Sequence, residues 1–281
     1  MRVTSRIALF AARHLPRGYW PLLRHAARRD PALWDLALPL RFIPGRVLRA
    51  DLREPVFTEF LRRGCLGYQV GEDLVCMRLL RPGDLVFDVG ANIGYTPTLF
   101  AHLVGPGGRV LAFEPSPRAF RLLSRTVGDA PTIECRNLAI SDHAGVGTFY
   151  ETEILLTSSL TPVSGAQPTP VSMTTLDSVA SEVGVPIFVK IDVEGQELSV
   201  LRGMATLLGG ERPPMLMFEA LSPSALAETL LELRLRGRGR YSVRRVRWDG
   251  KTGPLDDARG TINYIALPDW CEVRAHDLHS E

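Results

Sequence analysis

The sequence predicts a doubly wound α/β sheet, and three observations carry that reading. Residues 84–94 run from a buried strand into a glycine-bearing turn, the next apolar run ends in Glu114, and strand-like and helix-like stretches alternate from Gly71 onward. Residues 1–70 are broken by Pro16, Pro21, Pro31, Pro39, Pro44 and Pro55. They can hold only short helices and a strand or two, and read as an N-terminal cap on a main domain at 71–281.

The main domain opens with a helix at 72–80 and a strand at 84–89, where Leu85, Val86, Phe87 and Val89 form an apolar run bounded by turn formers. A helix at 93–104 follows, with Pro97 expected to kink its first turns. The strand at 109–114 ends in Glu114. The helix at 117–127 has a strong start in Ser116-Pro117, a capping hydroxyl before a proline at the first helical position. Strands are expected at 132–139 and 146–151, then a long polar segment, 152–170, that reads equally as a binding loop or a surface excursion. A strand at 171–173, a helix at 175–182, a strand at 187–191, a helix at 196–208, a strand at 215–218 and a helix at 223–236 continue the alternation. Strands at 241–248 and 261–267, joined around Asp249-Gly250, close the sheet. In such a sheet ligands sit outside the carboxyl ends of the strands.

Those ends carry the chemistry. Gly90 and Gly94 permit a tight turn and close backbone approach, and Glu114 stands 26 residues after Asp88, where a carboxylate can accept both hydroxyls of a ribose. Asn92 occupies the place of the middle glycine of a dinucleotide fingerprint, which makes NAD or FAD the lesser reading. Asp88 before the turn suits a cationic ligand. S-adenosylmethionine, with its sulfonium and amine and no phosphate, fits better.

Of the 281 residues, 45% are hydrophobic and 23% charged, an ordinary globular composition rather than that of a disordered chain, and the net charge of +2 excludes a polycation. Residues 1–63 nevertheless carry thirteen Arg against five acidic residues, a local excess of +8. This reads as a solvated helical face or as peripheral contact with an anionic membrane or partner. Cys65, Cys76, Cys135 and Cys271 form no C-x-x-C pair and suit reduced thiols in a cytoplasmic setting. No apolar run is long enough to span a bilayer, and Arg13 and His14 interrupt anything like a signal peptide.

Several strings resemble the FkbM family of S-adenosylmethionine-dependent methyltransferases. They are Asp88-Val-Gly-Ala-Asn-Ile-Gly94-Tyr95, Phe113-Glu114-Pro115, Asn137-Leu-Ala139 with Ser141-Asp142, Ser158-Ser159-Leu160, and Lys190-Ile-Asp192-Val-Glu194-Gly195 followed by Glu197 and Leu201-Arg-Gly203. The resemblance covers about residues 68–220. It implies a class I methyltransferase (Rossmann-like) fold, with a seven-stranded sheet whose last strand is antiparallel and helices on both faces. It also implies methyl transfer, typically to oxygen, on a small-molecule or glycan acceptor such as a sugar, glycolipid or secondary metabolite. On this reading Asp88, Gly90, Asn92 and Gly94, with Tyr95, line the methionine part of S-adenosylmethionine. Glu114 takes the ribose, and Asn137, Ala139 and Asp142 lie toward the adenine. Asp192, Glu194 and Glu219 are the candidate catalytic carboxylates, Asp192 first. Gln69 stands where the family commonly has Glu.

Lys190 and Asp192 should face the same side of their strand as an ion pair. No His/Cys/Asp grouping has metal-ligand spacing, and no metal is predicted. Nucleic-acid methylation is the weaker alternative, because the seven arginines of 234–247 are interleaved by few aromatics. A non-catalytic module on the same fold is a third. The oligomeric state is not readable from the sequence.

Overall fold

The computed structural model describes residues 1–281 apart from 16, 153–159, 163, 258–259, 272–277 and 279–281. The proline-punctuated N-terminal region forms helices α1 (Val3–His14) and α2 (Trp20–Ala27), a hairpin of β1 (Leu36–Pro39) and β2 (Val47–Ala50), and helix α3 (Phe57–Arg63). Pro21 lies in the first turn of α2, where a missing N–H costs nothing, and Gly64, in the left-handed region, ends α3. The apolar faces of these elements do not form a separate core. Ala8, Leu23, Leu48 and Phe60 share one buried cluster with Ile93, Tyr95, Leu99, Ala119 and Leu122.

The rest of the chain follows as α4 (Val70–Leu79), β3 (Leu85–Val89), α5 (Tyr95–Val104), β4 (Arg109–Phe113), α6 (Pro117–Val127), β5 (Ile133–Arg136), β6 (Ala139–Ile140), β7 (Gly145–Glu151), β8 (Gln167–Thr174), α7 (Leu176–Val183) and β9 (Phe188–Ile191). It closes with α8 (Glu197–Arg202), α9 (Ala205–Gly209), β10 (Met215–Glu219), α10 (Pro223–Arg236), β11 (Tyr241–Arg247), β12 (Thr252–Gly253) and β13 (Gly260–Pro268). The main sheet has the order β12-β11-β13-β10-β9-β3-β4-β5. Strands β5, β4, β3, β9 and β10 are parallel, and β13 inserts antiparallel between β10 and β11. This is the class I methyltransferase arrangement, widened from seven strands to eight by the two-residue edge strand β12. Helices α4 and α5 cover one face, over Val86, Val110 and Phe188, with α6 over Ala112. Helices α7 to α10 cover the other, over Phe87, Leu111, Val189 and Phe218.

Four departures from the expected elements have local causes. Pro97 is the third residue of α5, inside the first turn whose N–H groups have no helical partner, so it produces no break. The helix expected at 196–208 divides into α8 and α9 at Gly203, where a Cβ would stand 2.0 Å from the Ser141 carbonyl oxygen. The Asp177 carboxylate restarts the chain by accepting from the Thr206 and Leu207 N–H groups. The strand expected at 132–139 ends at Arg136, and Ala139–Ile140 join β8 in a separate three-stranded sheet, order β6-β8-β7. Finally, β8 begins at Gln167, pairing along β7 to Glu151, so the C-terminal part of the 152–170 segment is strand.

Candidate functional site

The chain runs outward from β3 to β5 on one side and from β9 to β10 on the other, so β3 and β9 are the neighbours at which strand order reverses. Their carboxyl ends open on a cavity of about 500 Å³, the place where such sheets bind ligands. Gly90, Ala91, Asn92 and Ile93 form its floor. Gly90 has φ 91°, and a Cβ there would sit 1.8 Å from the Asp192 carbonyl oxygen. The glycine is required by the close approach of the two strand ends, not only by a ligand. Gly94 stands behind the floor, where a Cβ would press on Leu123 and Thr126 of α6.

On the β4 side the Glu114 carboxylate lines the cavity while accepting from the Asn92 N–H at 2.8 Å and the Ser116 N–H at 2.9 Å. Burial pushes its pKa up to about 7, against those two hydrogen bonds. Asn92 is non-glycine with φ 49°, a conformation asparagine tolerates better than most residues. Its Oδ1 is buried with no hydrogen-bond partner among the described residues. Beyond Glu114, Phe113, Pro115, Ala139, Ile140, Phe149 and Leu160 make an apolar wall.

On the β9 side lie three carboxylates. Asp192, Glu194 and Glu219 each offer an oxygen within 4.8 Å of the others. Such a trio, the three carboxylates expected at the strand ends, can share protons or hold a cation. Burial, followed by the repulsion of Asp192, raises Glu194 to about 7 and Glu219 to about 8. Glu194 has φ 51°, so non-glycine residues in the left-handed region stand on both sides of the cavity. Strain of this kind gathers at functional sites. Lys190 faces Asp192 as expected, its Nζ 2.5 Å from Oδ2. The lysine is buried, which pulls its pKa down, but Asp192, Asp88 and Glu72 together hold it above its ordinary value.

Asp88 does not line the cavity. It pairs in register with Lys190 beneath the floor, wholly buried, and neither carboxylate oxygen has a hydrogen-bond partner among the described residues. Burial raises its pKa to about 7. Its place on the β3 face that meets α4 and α5 keeps it below the turn and off the cavity lining, where contact with the methionine part had been expected. Asn137 is exposed, donating its amide to the Glu114 and Pro115 carbonyls, and holds the loop that Leu138 and Ala139 continue into the wall. Asp142, expected toward the adenine, lies past the end of β6, exposed and paired with His143, off the cavity lining. Tyr95 lines the cavity but gives its hydroxyl to Asp73 at 2.5 Å. Ser158 and Ser159 lie outside the described residues.

Sequence reasoning missed most of the opposite rim. Tyr68, Gln69, Glu72, Thr96, Arg245, Trp248 and Asn263 all line the cavity. Gln69 donates to Thr96 at 3.1 Å, and the Asn263 amide donates to Glu72 at 2.6 Å across 191 residues of chain. The half-exposed aromatics Tyr68 and Trp248 form the outer lip. An aromatic beside the Asp249-Gly250 turn was the one available signal for Trp248.

Residues 88–238 match the family model described as the methyltransferase FkbM domain. Two curated relatives are similar over parts of the chain. The 31-O-demethyl-FK506 methyltransferase FkbM of Streptomyces tacrolimicus is 50% identical over 80 residues, 27% of this chain and 30% of that protein. The hexuronic acid methyltransferase AglP of Haloferax volcanii is 33% identical over 127 residues, 44% of this chain and 52% of that protein. The chain thus spans about half or less of the curated relatives it matches. A solved methyltransferase FkbM from Methylobacillus flagellatus superposes with a TM-score of 0.48 at 15% identity, over 94% of this chain and 59% of that one. Aeropyrum pernix fibrillarin bound to S-adenosyl-L-methionine gives 0.43 at 15% identity, over 72% and 76%.

Proposed function

The chain belongs to the methyltransferase FkbM domain family, and from that premise we propose that it transfers a methyl group from S-adenosylmethionine to a hydroxyl of a sugar, glycolipid or secondary metabolite. The observation that carries the proposal is the division of one cavity into two chemistries. Glu114 and an apolar wall lie on the β4 side, and three carboxylates with two aromatics lie on the β9 side. The first half fits a nucleoside. The second fits a hydroxylated acceptor, since carboxylates accept from hydroxyls and an aromatic face suits the apolar face of a ring.

Bound S-adenosylmethionine supplies a methyl already activated on a sulfonium. Glu114 would accept the ribose hydroxyls on its remaining lone pairs. The protein's own task is then to align the acceptor oxygen and take its proton as the new bond forms. Lys190 pins Asp192 from below and fixes its carboxylate at the strand end. Glu194 and Glu219, raised to about 7 and about 8, are both matched to take a proton near neutral pH, and Glu219 at the end of β10 is assigned that role here. Asp192 and Glu194 then orient the hydroxyl.

The arginines of 234–247 do not favour the nucleic-acid reading. Arg236 pairs with Glu232, Arg240 donates to backbone carbonyls, Arg244 and Arg245 donate to Thr252 and Thr261, and Arg247 pairs with Asp249 and Asp257. Calorimetry with S-adenosylmethionine tests the donor half: Glu114→Ala should weaken binding by about 1.5–3 kcal/mol, the worth of a hydrogen bond to a charged group. Equal binding by wild type and variant, or none by either, would sink the assignment. A labelled-methyl assay on sugars, glycolipids and hydroxylated metabolites then identifies the acceptor.

A further inference from the structure

Helix α1 carries two apolar faces. At 3.6 residues per turn, Ser5, Ala8, Leu9 and Ala12 lie on one side and are buried in the cap. Val3, Ile7, Phe10 and His14 fall within about 60° of one another on the opposite side. There Val3 is 72% exposed, Ile7 54% and Phe10 66%, and the Phe10 ring rests on His14 with centroids 4.5 Å apart. Arg2, Arg6 and Arg13 run along one flank of this stripe, all exposed. The neighbouring helix α2 adds exposed Leu22 and a shallow depression lined by Trp20, Arg24, His25, Arg28 and Arg29.

Charge identifies the occupant. The first 29 residues contain seven arginines and no acidic residue. The nearest carboxylate, Asp30, is turned inward to Ser5 and the Arg2 N–H. Asp35, Asp51, Glu54 and Glu59 are engaged with Arg49, Arg53, Arg118 and Arg63. Among the described residues none of the seven arginines pairs with a carboxylate. A second copy of the same face would set seven arginines against seven. Nucleic acid would leave the apolar stripe in water. An anionic bilayer accepts both features, because apolar side chains enter the acyl boundary while arginines meet lipid phosphates. No helix among the described residues is long and apolar enough to cross a membrane, so the contact would lie in the plane of the surface.

We propose that the exposed face of α1, with the basic surface of α2, docks this protein on an anionic lipid bilayer. The docking face is separate from the cavity, so it stands whether or not the methyl-transfer reading does. Flotation of the full chain with phosphatidylcholine vesicles, with and without phosphatidylglycerol, tests it. Binding is expected only with phosphatidylglycerol present, and it should weaken as salt is raised. An Ile7→Glu/Phe10→Glu variant and an Arg6→Glu/Arg13→Glu variant should each bind at least about tenfold more weakly. Near-ultraviolet circular dichroism and the melting temperature should stay unchanged, since none of these side chains is buried. Equal flotation with both vesicles, or full binding by either variant, would overturn the proposal. So would a concentration-dependent dimer that Phe10→Glu disperses, because the stripe would then be a protein interface.

Discussion

Replacing Lys190 by Met removes a charge from the middle of the sheet while keeping an unbranched apolar stem. The lysine lies on β9, with Asp88 as its register partner on β3 and Met217 on β10, and its Nζ contacts Asp192 at 2.5 Å. Burial raises the carboxyls of Glu72, Asp73 and Asp88, and Lys190 opposes that rise in each. Removing one member of a buried pair costs about 3–5 kcal/mol. Two features reduce this. The Asp192 side chain is 39% exposed and screened by water, and buried Asp88 and Glu72 can neutralise themselves by taking up protons. A loss of about 2–3 kcal/mol remains, a fall in Tm of roughly 4–10 °C for a chain of this size. The sign of its pH dependence follows from linkage. Asp73 and Asp88 have folded pKa values of about 7, above their unfolded ones, so native stability falls as pH rises from about 4 toward 7. Without the lysine those values rise further, and the fall continues to higher pH. The Tm gap between wild type and Lys190→Met should therefore be small near about pH 5 and large near about pH 8. Paired thermal melts at both pH values measure it. A gap of equal size at both, or a larger one in acid, would refute the account of Lys190 as counter-ion to the buried carboxylates.

Other outcomes follow from the same geometry. Gly90→Ala would place a methyl against the Asp192 carbonyl at φ 91°, so it should cost more than about 3 kcal/mol. Gly195→Ala, with φ 89° and nothing within 4 Å, should cost only about 1–2 kcal/mol. Chemical denaturation of both variants makes the comparison. With Glu219 as proton acceptor, kcat/KM should climb with pH through about 8, since the carboxylate form exists only above its raised pKa. Glu219→Gln should abolish that climb, and a surviving limb would move the base to another group. Trp248→Ala should raise KM for the acceptor about tenfold while leaving the donor Kd unchanged, as expected for loss of an aromatic platform. Weakened donor binding in that variant would place the indole in the wrong half of the cavity.

The parallel half of the sheet was legible because its central strands are short, predominantly apolar runs followed by turn formers, a pattern needing no long-range information. The helix start at Pro117 was equally clear, preceded by a serine that accepts the expected capping bond, and the start at Pro223 turns out to be built the same way on Ser222. Glu114, Asn92 and Asp192 could be placed because chain neighbours fix their position at strand ends. The acceptor side could not, since Tyr68, Asn263 and Trp248 meet only after the antiparallel strand β13 has been inserted. Asp142 lies off the cavity lining for a related reason. Its position depends on where the chain passes from β5 to the β6–β8 pair, and two residues of pairing leave little local trace.

The N-terminal region and the helices beside the cavity share one buried cluster, in which Phe60 meets Tyr95 edge-on at 5.0 Å. Tyr95 begins α5 directly after the turn whose backbone floors the cavity, and its hydroxyl is tied to Asp73 on α4. A ligand that stiffens this turn therefore also stiffens the contact with the first 63 residues, and loosening that contact loosens the turn. Occupancy of the cavity and attachment of the cap are thus two readings of a single free-energy coupling, reciprocal by thermodynamic necessity. A main domain excised from residues 1–63 would surrender ligand affinity as well as apolar cover.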